Sequence, residues 1–206
     1  MDRITWYSSC IERWQLKRGD HIYCWRTRAG YLYSHHGIYE SDQKVIQYCS
    51  ASTFSSSSSS RQAGSNGSSA LYPTSLFQIP LALSAMTQAQ RTCIACREAE
   101  RDGGVVISCL DCFTEGDNIC LFVYSVPRWF RNVWLIGSPT QHTCLVEDED
   151  PPETVLRRAN NLLANHGDFS VDSYNFVTNN CQHFAIYARQ GVSYQGSIKM
   201  LNGRWA

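Results

Sequence analysis

Two settings among the ten cysteines of this chain could do chemistry. The first is Asn180-Cys181-Gln182-His183-Phe184-Ala185-Ile186-Tyr187-Ala188-Arg189-Gln190-Gly191. Asn180 suits an N-cap, Gly191 suits the left-handed residue that ends a helix, and Cys181, Phe184, Ala185 and Ala188 recur at helical spacing. The pattern predicts a short helix that starts at Cys181 and buries one face. A thiol in a first turn lies among unpaired N–H groups at the positive end of the macrodipole, which favours thiolate and activates a nucleophile. The same position also suits a small buried core cysteine. A nucleophile needs a base, and His183, two residues further on, points away from Cys181 on a helix. Any partner must come from elsewhere in the chain.

The second setting is Cys93-x-x-Cys96 followed, after twelve residues that include Asp102-Gly103-Gly104, by Cys109-x-x-Cys112. Two such knuckles facing each other could close a tetrahedral four-thiolate zinc site, and they suit a set of unmetallated thiols as well. Either way the role is structural, because four protein ligands leave no open position for a substrate.

These residues need a scaffold. At 206 residues and 43% hydrophobic content the chain can bury one sizeable core. Eighteen basic and eighteen acidic side chains cancel, which gives no overall field for capturing nucleic acid. The first ten residues carry no apolar run of the signal-peptide kind, and no stretch reaches transmembrane length, so a cytoplasmic location with reduced thiols is expected. His21-Ile22-Tyr23-Cys24-Trp25, then Tyr31 to Tyr39, then Lys44 to Cys49 read as three strands of an antiparallel meander. Alternation places Tyr31, Tyr33, His35, Gly37 and Tyr39 on one face, and a pairing of Tyr39 with Gln43 would set His35 directly opposite Gln47. His35 on such a strand suits a base or a hydrogen-bonded structural histidine, and His21, His36, His142, His166 and His183 share the second reading.

From Ser50 the composition turns to serine, glycine and asparagine, a flexible loop. Ile119 to Val126 reads as a further strand. Trp129, Phe130, Val133 and Trp134 would share one face of a following helix, and no acidic residue occurs between Asp117 and Glu147. That helix would either pack on the core or touch a membrane surface. Asp150-Pro151-Pro152-Glu153 is a helix start, with Asp150 as cap, and Gly167 ends the helix.

Taken together, Gly19-Asp20, Tyr33-Ser34-His35-His36-Gly37-Ile38-Tyr39 with Val45-Ile46-Gln47, and Asn180-Cys181-Gln182-His183-Phe184-Ala185 resemble the lecithin:retinol acyltransferase family. The likeness is greatest to its plant branch, the NC-domain proteins, whose inserted cysteine elements are matched at Cys93 to Cys112. The resemblance implies an α+β, circularly permuted papain-like fold. Residues 1–50 and 140–191 would form the core, 51–139 an insertion with the serine loop and cysteine pairs, and 192–206 a tail. It carries over Cys181 as nucleophile and His35 as base of a thiol-dependent acyltransferase or lipid/ester hydrolase. No catalytic cofactor is implied. Gln47 stands where the family often has a second histidine, and His36 where many members have tryptophan. A glutamine can orient His35 but cannot stabilise an imidazolium by charge. The same fold could serve instead as a non-catalytic binding or regulatory module.

Overall fold

The computed structural model describes residues 10–28, 31–51, 93–127 and 144–191. The serine loop, the Trp129 to Trp134 segment and the 192–206 tail lie outside them. Strands β1 (Cys10–Ile11), β2 (His21–Arg28), β3 (Tyr31–Ser41), β4 (Lys44–Cys49), β5 (Gly104–Ser108) and β6 (Ile119–Leu121) form one sheet in the order β1-β6-β2-β3-β4-β5, antiparallel at every pairing. With α1 (Ile94–Asp102), α2 (Leu110–Thr114), α3 (Pro152–Asn165) and α4 (Cys181–Gln190), the fold is α+β, as expected. Strands β5 and β6 both come from the stretch read as an insertion, and both are members of the one sheet.

Aromatic and β-branched residues at alternate positions make the meander two-sided. On one face Ile38, Ile46 and Tyr48 pack with Val155, Leu156 and Ala159 of α3 and with Phe184, Ala185 and Ala188 of α4. On the other, Cys24 and Val45 pack with Leu110 and Phe113 of α2. Burying a side chain such as Phe184 stabilises by about 1.5–3 kcal/mol, so α4 is held mainly by this face rather than by propensity.

The β3–β4 register departs from expectation. Ser41 pairs with Lys44, the register shifts between Tyr39 and Ser41, and Tyr39 then pairs with Val45 and Gly37 with Gln47. The expected Tyr39–Gln43 pairing is thus displaced by two residues. The tight Asp42-Gln43 turn and the bulge set this offset, and a shift of two leaves every side chain on its expected face. Gln47 is therefore diagonal to His35, not opposite it.

The start of α3 also differs. Pro151 occupies the cap position with no side-chain cap, Pro152 is the first helical residue, and the Asp150 carboxylate accepts from Arg158 Nη2 at 2.8 Å. An acid beside a cation has a charge-assisted partner that outcompetes capping. The C-terminal end comes at His166, which takes a positive φ of 57° one residue before Gly167.

Candidate functional site

Helix α4 begins as the sequence requires. Asn180 is extended at φ −120°, and its side-chain oxygen accepts from the N–H groups of Gln182 at 3.0 Å and His183 at 3.3 Å. The Asn180 N–H in turn reaches His183 Nδ1 at 3.3 Å, closing a capping box. Gly191 ends the helix at φ 67°. His183 is thus consumed by the cap.

The cap fixes where Cys181 enters the sheet. Pairing of β3 with β4 stops at Gly37–Gln47, although β4 continues to Cys49 and β3 runs back to Tyr31. Strand β2 stays paired with β3 through this stretch, so the open edge is the one towards β4. The Cys181 thiol lies there, donating to the Ser34 carbonyl at 3.8 Å, while the His36 N–H donates to the sulfur. The two peptide groups that hold the sulfur are those on either side of His35. The cysteine itself is only 4% exposed.

His35 extends to the face opposite α4. Its Nε2 is bonded to Gln47 Oε1, and its ring lies 5.2 Å from that of Phe113. Gly37 makes room for this: a Cβ there would fall 2.9 Å from the Phe113 ring and 2.9 Å from Val45. Fully buried Gln47 donates from Nε2 to Glu100 Oε1 at 3.0 Å. Among the described residues no hydrogen bond joins His35 directly to Cys181, and His35 Nδ1 has no hydrogen-bond partner.

Electrostatics run against one expectation. The Cys181 thiol is pushed up to about 11, first by burial, against N–H groups of His36, Gln182 and Cys181 and the Tyr174 hydroxyl, which all favour thiolate. Those donors are the local effect of a helix start, and desolvation of the buried sulfur exceeds them here. Burial likewise lowers His35 to about 4, opposed by its bond to Gln47. At neutral pH the resting pair is thiol and neutral imidazole.

His36 has another role. It is fully buried, bonds His21 through Nδ1 at 2.8 Å and Ser34 Oγ through Nε2 at 2.7 Å, and His21 continues to the Tyr124 hydroxyl at 2.8 Å. Both ring nitrogens are used, which is the structural-histidine reading.

The four cysteines converge. Their sulfurs all lie within 4.8 Å of one another. Cys112 and Cys93 stand 3.8 Å apart, near the edge of about 3.8 Å that a tetrahedron with Zn–S of about 2.3 Å requires, whereas Cys93 and Cys96 stand 2.9 Å apart and would have to separate to take a metal. The Cys93 N–H points at Cys112 Sγ at 3.3 Å and the Cys109 N–H at Cys96 Sγ at 3.2 Å, donors that favour thiolate ligands. The cluster could hold a metal ion. Three residues of the Cys181–His35 site escaped the sequence reading: Glu100, Phe113 and Tyr174. Glu100 carried a faint signal, lying one helical turn after Cys96, whereas no spacing connects Phe113 or Tyr174 to the motifs.

An antiparallel sheet against which a capped, cysteine-first helix is docked, with a strand histidine beside the thiol's backbone contacts, is the architecture of the permuted papain-like α+β class. Within that class the chain belongs to the lecithin retinol acyltransferase family, whose model matches residues 14–194. It is 35% identical over 185 residues to Protein LEAD-SENSITIVE 1 of Arabidopsis thaliana, covering 90% of this chain and 61% of that protein's length. No solved structure matches it. Family membership suggests activity of the acyltransferase or hydrolase type. None of the described helices is long and apolar enough to cross a membrane.

Proposed function

We propose that the protein transfers or hydrolyses acyl groups through a Cys181 thioester, with His35 as base and Gln47 as its orienter. The observation that carries this is the lodging of the Cys181 sulfur against the peptide groups flanking His35, whose Nε2 is tied to Gln47 while Nδ1 has no partner among the described residues. Cys181 loses its proton to Nδ1 as sulfur attacks the ester carbonyl, and the C–O bond breaks as the same proton passes to the leaving alkoxide. Water or a second acceptor, deprotonated by His35, then releases the acyl group and restores the thiol. For the oxyanion, the start of α4 offers the Cys181 N–H, which in the resting site lies against its own sulfur; those of Gln182 and His183 are engaged by Asn180.

An acyl-lipid or other ester or thioester substrate is supported by the apolar loop before α4, where Phe176 and Val177 are 61% and 77% exposed and the Phe176 ring meets Tyr33 at 5.9 Å. The four cysteines serve as a structural zinc site on the donor set and spacing given above. The Arabidopsis relative is named for lead sensitivity, and four soft thiolates would take a thiophilic ion other than zinc as well.

Incubation with a short-chain p-nitrophenyl ester, followed by intact-mass analysis, should give a hydroxylamine-labile adduct on Cys181, absent in Cys181→Ala. Gln47→Ala should slow its formation, and Gln47→His should preserve or raise it. Turnover persisting in Cys181→Ala, or no adduct on the folded wild type, would replace catalysis with the binding-module reading.

A further inference from the structure

Gln47 is the weak point of this site. A primary amide has an acceptor end and a donor end of nearly the same shape, and only one orientation is productive. With Oε1 towards His35, Nε2 of the ring must carry the proton and Nδ1 is left basic. With the amide turned over, the NH2 group would donate to the ring, the proton would move to Nδ1, and the base would be lost.

The structure holds the group that decides between them. Glu100 Oε1 accepts from Gln47 Nε2 at 3.0 Å; burial raises the Glu100 carboxyl above its ordinary value and this bond opposes the rise, and in its ionised form the carboxylate can only accept. The NH2 end of Gln47 is therefore committed to Glu100 and the carbonyl end to His35. Glu100 comes from α1, inside the cysteine-rich stretch, and lies four residues after Cys96 on the same helix, so the two share a face. Its helix is anchored at that face by the cysteine cluster. The second knuckle reaches the same histidine, since Phe113 directly follows Cys112 and packs on the His35 ring. Arg26 Nη1 fastens that turn by donating to the Thr114 carbonyl at 2.7 Å.

We propose that Glu100 is a positioning residue that locks the Gln47 amide and, through it, the Nε2–H tautomer of His35, and that the cysteine module exists in part to present it. This rests on the reading of His35 as the base, but the tautomer can be measured without turnover. The full-length protein, 15N-labelled at histidine, reports the His35 tautomer by long-range 1H–15N correlation, and the p-nitrophenyl ester gives the rate of acylation at Cys181. Wild type should show Nε2–H alone. Glu100→Ala should show both tautomers in exchange and acylate roughly tenfold more slowly, the size of one charge-assisted hydrogen bond. The decisive variant combines Glu100→Ala with Gln47→Glu, because a carboxylate at position 47 accepts from either oxygen and needs no lock. It should return His35 to the single tautomer and recover most of the acylation rate. A merely structural Glu100 would not be rescued by a change at position 47. A single Nε2–H tautomer in Glu100→Ala, or mixed tautomers in the double variant, overturns the proposal. A locked tautomer in a wild type that never acylates leaves Glu100 in place and removes the acyl-transfer reading instead.

Discussion

His35 and His36 are chain neighbours with opposite fates. Alternation along β3 sends one ring to each face of the sheet, and what waits there differs. His36 enters a closed buried chain with His21, Ser34 and Tyr124 in which both its nitrogens are spent. Among the described residues His35 hydrogen-bonds only to Gln47, which leaves one ring nitrogen available. A histidine becomes a candidate base less by being near a thiol than by having a lone pair that nothing else has claimed. The comparison also separates the two settings of cysteine: Cys181 is buried against the backbone of β3, whereas Cys93, Cys96, Cys109 and Cys112 have one another.

The largest expected effects split the two histidines. His35→Ala should lower acylation of Cys181 by at least about a hundredfold, the usual lower bound for a general base, while leaving the fold intact. His36→Ala strands the His21 ring and opens a cavity, so it should cost about 2–4 kcal/mol of stability in urea unfolding. A reversal, with His36→Ala folded but inactive and His35→Ala active, would move the base to the other face.

The next effect is in pH. If neutral His35 deprotonates the thiol during attack, kcat/KM should rise with pH through the His35 value of about 4 and then hold level until Cys181 ionises at about 11. A rise centred near about 8.5, the free-thiol value, would mean a preformed thiolate in a looser site. Stability has its own sign. His35, His183 and His21 all sit below their ordinary 6.5 when folded, so at low pH the unfolded chain binds more protons. Their contribution is fully present above pH 6.5 and is lost as pH falls towards 4, and thermal unfolding should shift down over that window.

Metal removal comes next in size. Protein purified without chelator should carry about one zinc per chain, and a strong chelator should lower the unfolding temperature and admit both His35 tautomers. Retention of a single tautomer after complete metal loss would show that α1 is held by the sheet alone. The smallest effect concerns the shared scaffold: Asn180→Ala should destabilise by about 1 kcal/mol, the cost of a lost cap, as read by urea midpoint.

Much of this was legible in the residues, and what was not has a common cause. The meander, the capped helix and the convergence of the cysteines follow from local spacing, which the chain expresses directly. His35 and Gln47 share a face, as alternation requires, while their register is off by two, because turn and bulge geometry sets register but period two protects the face. Glu100 and Tyr174 arrive by tertiary packing from segments with no fixed offset to the motifs. The acidity of Cys181 was misjudged for the same reason: the dipole and donors are local, but desolvation is set by everything that surrounds the sulfur.

The thiol's seat against β3 gives the protein an internal isotope clock. The His36 amide, on a fully buried residue, has the sulfur of Cys181 as its acceptor. A thioester sulfur shares its lone pair with the carbonyl and is a poorer acceptor than a thiol, so acylation should loosen that one amide and speed its exchange with deuterium. The backbone of β3 would then record each chemical state of the cysteine without any probe being attached to it.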